Sequence, residues 1–237
     1  MGQVQPLAAS PDSTNRAILS PLPAASAAPA IPTSFAPSGA PAEPVREIGP
    51  GLFQVGSVRI NQEQRMIRVP AIVNMREGNL EYLLVASSGK THESLLRTDV
   101  HPFQIQVAFL LLGARGTTNP LPLDPDLAIP GEPVDIFLTW PHRATNRQER
   151  IETFVTNRRS GAAALAGPWI FTGSRLRAGE FAAELDGSIL SLITDPDCLL
   201  NNPRPGREDD DNWLARPGGL LLPVGAELEV LFRLRPR

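Results

Sequence analysis

His92, Glu93 and Ser94 place an imidazole, a carboxylate and a hydroxyl on three consecutive residues. These are the group types of a base, an orienting acid and a nucleophile. Successive residues of extended chain face opposite sides, so His92 and Ser94 share a side and Glu93 points away. His92 and Ser94 are therefore the candidate catalytic pair, although no Gly-x-Ser-x-Gly elbow frames Ser94. A structural role competes with this one. Short polar side chains at a junction satisfy backbone N–H and C=O groups where one element hands over to the next. Thr91, Thr98 and Asp99 suit the same task. On that reading His92 is bonded to the junction, and its removal costs about 1–3 kcal/mol.

Two residues earlier stands Lys90, the only lysine among 22 basic residues. Unlike an arginine it is a compact, strongly hydrated charge that can release its proton. It is expected to point to solvent or to an anionic partner. Two other groupings invite a metal. His92, Glu93, Asp99 and His101 lie close in sequence, but no His-x-x-x-His helical pair is present. The run Glu208-Asp209-Asp210-Asp211 lacks the alternate spacing and glycine of a calcium loop, and a solvated charge run is expected instead. No metal and no cofactor is expected. A further loop, Gly167-Pro168-Trp169-Ile170-Phe171-Thr172-Gly173-Ser174, adds Thr172 and Ser174 as candidate anion contacts through backbone amides and hydroxyls.

Composition narrows the setting. The net charge is −3 and the pI near 5.7, which gives no electrostatic basis for binding nucleic acid or anionic lipid. A lone cysteine, Cys198, excludes an intrachain disulfide, a Cys-rich zinc site and a cysteine-held iron–sulfur cluster. No apolar run approaches the ~18 residues of a membrane helix, and no secretory h-region is visible. Pro6 stands where an N-myristoylation signal wants Ser or Thr.

The elements that must position these residues follow from patterning. Residues 1–46 are rich in Ala, Pro and Ser, and ten of the 25 prolines lie in the first 50 residues. They read as a disordered tail or tether, leaving 47–237 as a single domain. Alternation predicts strands over 52–60, with a bulge at Gly56-Ser57, and over 65–75, with Pro70 at an edge or bulge. A hairpin turn at 76–79 then returns the chain antiparallel over 80–86. Pro102 opens an apolar helix over 102–113, expected to be the most buried element. Proline density makes 116–133 a long irregular loop. Further strands are predicted over 134–140, 151–156, 188–194 and 227–234, with a Pro/Asn-rich excursion over 195–205.

Four blocks occur in order: Gly89-Lys90-x-His92-Glu93-Ser94-Leu95, Leu110-Leu111-Leu112-Gly113-Ala114, Pro133-Val134-Asp135-Ile136-x-x-x-Trp140 and Trp169-Ile170-Phe171-Thr172-Gly173-Ser174. This series resembles the YdjY-domain family, bacterial and mostly exported proteins of unknown function, from about residue 50 onward. Some members are described as ferredoxin-like, but this chain lacks the thiolates for a cluster. Gln106 stands where a second histidine is expected in the apolar helix, so a metal-binding pair with His92 is not available. The resemblance implies a periplasmic or cell-envelope location.

The expected fold is a β-rich α+β domain, a mainly antiparallel sheet or open barrel packed on the 102–113 helix. The expected function is a non-enzymatic module that binds an envelope protein or small ligand. Its contact residues are Lys90, His92, Glu93, Ser94, Asp99, Thr172 and Ser174. The alternative is a hydrolase using His92 and Ser94.

Overall fold

The computed structural model describes residues 43–216 and 222–236. The expected tail over 1–46 thus lies almost wholly outside the described residues. The chain opens with three short strands, β1 (Arg46–Gly49), β2 (Leu52–Val55) and β3 (Val58–Asn61), followed by β4 (Met66–Val73), β5 (Tyr82–Ala86) and β6 (Ser94–Thr98). Helix α1 (Pro102–Leu111) precedes β7 (Glu132–His142), β8 (Thr145–Arg150), β9 (Val155–Asn157) and β10 (Trp169–Phe171). A small ribbon, β11 (Leu176–Arg177) and β12 (Glu180–Phe181), leads into α2 (Ala182–Asp186). The chain ends with β13 (Ser188–Ser191), β14 (Leu200–Asn201), β15 (Trp213–Ala215) and β16 (Glu227–Leu234).

Eight of these strands close on themselves in the order β4–β16–β7–β10–β14–β13–β5–β6, with β6 pairing back to β4. Closure removes the edges that an open sheet would expose. The pattern that builds it is period-two alternation. Ile67, Val69, Ala71 and Val73 of β4 face the core with Val134, Ile136, Leu138 and Trp140 of β7 and Val230, Phe232 and Leu234 of β16. The β-rich α+β expectation holds, and the barrel is closed rather than open.

Three expectations are corrected. The 52–60 stretch is not one bulged strand but a hairpin, because Gly56 takes φ +55° and lets β2 fold back on β3. Strand β5 does not return beside β4: it pairs in parallel with β6 and antiparallel with β13, while β6 lies against β4. Residues 151–154 form a 3₁₀ turn before β9 instead of a strand. Pro70 meets its expectation. Strand β3 pairs with β4 through Arg68 and β6 from Ile72 onward, so Pro70 falls in the interval between the two.

Helix α1 is buried on one side only. Phe109 reaches the core, stacked on Phe171 at 4.4 Å between ring centres and edge-on to Phe232 at 5.6 Å. On the other side Leu110 is 54% exposed. More buried are the strands β5, β13 and β14, whose residues are all buried. Glu184 of α2 caps α1, its carboxylate accepting the Phe103 N–H at 3.0 Å while meeting His101 Nδ1 at 2.5 Å.

Two buried arginines hold the irregular segments. Arg207 donates to the carbonyls of Asp124, Pro125 and Leu127, pinning the 116–133 loop. Arg204 bonds Glu152 at 2.9 Å and lies over the Trp169 ring at 4.6 Å, and burial lowers its pKa to about 10.

Candidate functional site

The connection from β5 to β6 is fastened through its backbone. Ala86 N–H donates to Gly187 O at 2.8 Å and Gly89 N–H to Ala86 O at 2.8 Å. Gly187, at the end of α2, takes φ +68° and passes so close that a Cβ there would lie 2.7 Å from the Gly89 Cα. A Cβ on Gly89 would in turn meet Asp186 O at 2.9 Å. Beyond this crossing Thr91–Glu93 make one 3₁₀ turn. The Asn74 amide secures it, donating to Thr91 O at 2.6 Å and Ser94 O at 2.7 Å. Thr98 adds a bond to Pro70 O at 2.7 Å. Bonds from Asn74, Thr98 and neighbouring main chain hold the junction, and Lys90, His92 and Glu93 project from it.

Lys90 Nζ donates to the Tyr82 hydroxyl at 2.8 Å, and that hydroxyl donates to Asp195 Oδ2 at 2.9 Å. The expectation that Lys90 points to solvent or to an anionic partner is corrected to this extent: its side chain is 45% exposed, but the ammonium is anchored on the single tyrosine. Burial and the Asp195 charge push the Tyr82 phenol well above its ordinary range. Burial likewise raises the thiol of Cys198, with Asp195 adding in the same direction. Glu93 lies 4.0 Å from Lys90 Nζ and 3.6 Å from His92 Nε2. The pKa of the Glu81 carboxyl is raised, first by burial and then by the Glu93 charge.

The proposed catalytic pair is separated by environment. The His92 side chain is 79% exposed and meets only Glu93. Ser94 is fully buried at the start of β6, and its hydroxyl donates to Leu96 O at 2.8 Å. A nucleophile needs an accessible oxygen within hydrogen-bond reach of its base, and Ser94 has its proton committed to a carbonyl. His92 also fails the structural expectation, since no backbone group takes its ring.

Thr172 and Ser174 are spent in the same way. Thr172 Oγ1 is within 3.3 Å of Cys198 O and 3.2 Å of Leu199 O, and accepts from Asn201 Nδ2 at 3.0 Å. Ser174 Oγ donates to Asp197 O at 2.7 Å and accepts from Ala183 N–H. Both hydroxyls thus hold the 194–201 segment that carries Asp195. Asp99 is exposed, bonded to Ser87 at 2.5 Å, and lines an open groove of about 710 Å³ with Arg59, Pro70, Thr139 and Glu229. The acidic run is no bare charge cluster: Arg159 bonds Glu208 and Asp209 at 2.8 and 2.7 Å. Among the described residues no three His, Cys, Asp or Glu side chains are arranged to hold a metal ion. Gln106 lies against Gly173.

Sequence reasoning missed Glu81, Asn74 and Asp195. Asn74 and Asp195 lie about 20 and 100 residues from the junction they serve, so spacing carried no signal. Tyr82, as the only tyrosine eight residues from the only lysine, was the one visible hint.

The family model of the YdjY domain matches residues 58–213, which spans the junction, the Tyr82–Asp195 contact and the loop at 169–174. No curated protein and no solved structure matches the chain. No helix among the described residues is long and apolar enough to cross a membrane.

Proposed function

Since the chain belongs to the YdjY-domain family, we propose that it is a non-enzymatic module of the bacterial cell envelope. It binds a protein partner or small ligand through the rim of Lys90, His92 and Glu93. One observation carries the binding role: the junction backbone is fastened, yet its ionisable side chains stay available, with His92 79% exposed. A rigid turn presenting hydrated groups loses little conformational entropy when a partner arrives. The hydroxyls that a hydrolase would need are bonded to main-chain carbonyls. Support for the envelope comes from the resemblance, whose members are mostly exported.

A photoreactive residue at position 92, with a control at the exposed Glu63, tests this in cells. The expected result is one discrete adduct in the envelope fraction from position 92, lost on Lys90→Ala and absent from position 63. Equal adducts from both positions, or ester hydrolysis by the purified protein that Ser94→Ala abolishes, would overturn it.

A further inference from the structure

Helix α1 carries apolar residues on both sides. Ile105, Ala108 and Phe109 face the core, while Phe103, Val107, Leu110 and Leu111 recur at helical spacing on the opposite side. Leu110 is the most exposed of these, and the other three are half-buried. The strip continues beyond the helix. The Phe103 ring meets that of Phe181 edge-on at 6.3 Å, and Leu176 stands directly opposite Phe181 across the β11–β12 ribbon. A helix face destined only for water carries polar side chains, and a continuous apolar strip marks a surface that something covers.

The two ends of the strip say what that is. At the ribbon end Glu180, beside Phe181, is exposed and makes no ion pair among the described residues. At the other end Arg115, just past α1, is exposed and equally unpaired among them. We infer that α1 packs against α1 of a second copy of this chain, antiparallel about a two-fold axis near Val107. A two-fold turns the strip end for end, so Arg115 of each copy meets Glu180 of the other. Phe103 and Leu111 lie about 6 Å along the helix to either side of Val107. The bulky Phe103 of one copy therefore packs against Leu111 of the other. The crossing falls on Val107, the smallest side chain of the strip, which lets the two axes come close. Antiparallel helices also bring opposite dipole ends together. The apolar strip drives this association, and the charges at its ends fix its direction. A lipid surface offers no fixed cation and anion a strip's length apart. A specific dimer buries about 800 Å² per partner, so the strip is its apolar centre and the polar surface around it the rim.

Sedimentation equilibrium of the full chain, loaded across about a hundredfold range of concentration, tests it. The expected result is a monomer–dimer equilibrium with no larger species. Leu110→Glu, at an exposed site, should weaken the dimer at least about tenfold while melting at the parent's temperature. Arg115→Glu and Glu180→Arg should each weaken it severalfold, because each change acts twice in the dimer. Combined in one chain, the two should restore it. A monomer at every concentration, or assembly that continues past the dimer, would overturn the inference. So would a dimer indifferent to Leu110→Glu, or charge variants that fail to rescue each other. A parent that stays monomeric but floats with zwitterionic vesicles, and loses this in Leu110→Glu, would assign the strip to lipid instead. None of these outcomes depends on what the rim of Lys90, His92 and Glu93 binds.

Discussion

The segments at 89–94 and 172–174 have opposite fates. Each is a short polar stretch with glycine, beside an apolar element. In the first, main-chain bonds and the Asn74 amide hold the backbone, and Lys90 and His92 stand out from it. In the second the side chains do the holding, with Thr172 and Ser174 bonded to carbonyls of the 197–199 stretch. What separates them is who satisfies the backbone. Where another part of the chain does so, local side chains are released for outside contacts. Where no other partner is available, the hydroxyls are consumed.

The largest effect should come from removing the fastening of the first segment. Gly187→Ala forces a residue with a Cβ into φ +68° and drives that Cβ to 2.7 Å from the Gly89 Cα. Left-handed strain and overpacking together predict a loss of about 2–4 kcal/mol in denaturant unfolding. If Gly187→Ala is as stable as the parent, the crossing is not what fixes the turn.

Next comes the second segment. Thr172→Val keeps the shape but leaves the buried Asn201 amide with only its bond to Asp195 O and withdraws the hydroxyl from the Cys198 and Leu199 carbonyls. About 1–3 kcal/mol should be lost, measured the same way. A neutral outcome would mean that Thr172 is as free as His92, and the contrast would collapse.

Much of the barrel wall was legible because alternation is a local signal. Residues 134–140 and 227–234 each show buried apolar residues at every second place, and both are long strands. The pairing was not legible. Nothing in 80–86 says that this strand leaves β4 for β6 and β13, since register depends on partners far along the chain. The helix was recognised, but its apolar run concealed which side faces out: Leu110 is as hydrophobic as Phe109 and lies in solvent. At the site, the type and place of Lys90 and His92 could be read. Their freedom could not, because it depends on Asn74 and Gly187.

A third prediction concerns pH. The folded state raises the phenol of Tyr82 above its unfolded value near 10. Such a group contributes stability that is whole below the unfolded pKa and is lost as pH climbs past it. From pH 10 to 11 the parent should therefore lose about 1 kcal/mol more than Tyr82→Phe, because the unfolded phenol is already half ionised at pH 10. Cys198, also raised, erodes stability with the same sign, so both proteins should keep that component. Because Tyr82 is the only tyrosine, absorbance at the tyrosinate band reads it directly. Tyrosinate appearing near pH 10 with the fold intact would show that Lys90 and Asp195 do not clamp the phenol.

The smallest expected effect is the most decisive for the contrast. If His92 helped to build the junction, its loss would strand buried groups and cost what Thr172→Val costs. Its ring is 79% exposed and its one polar neighbour is Glu93 at 3.6 Å, an exposed pair of little energetic weight. Exposed substitutions away from special backbone positions usually stay within about 0.5 kcal/mol. His92→Ala should therefore unfold at the same denaturant midpoint as the parent, within that margin. Asn74→Ala, at a residue no motif marks, should be the costlier change, because it frees the carbonyls of Thr91 and Ser94. Reversal of that order would move His92 from the rim into the scaffold and leave the first segment no freer than the second.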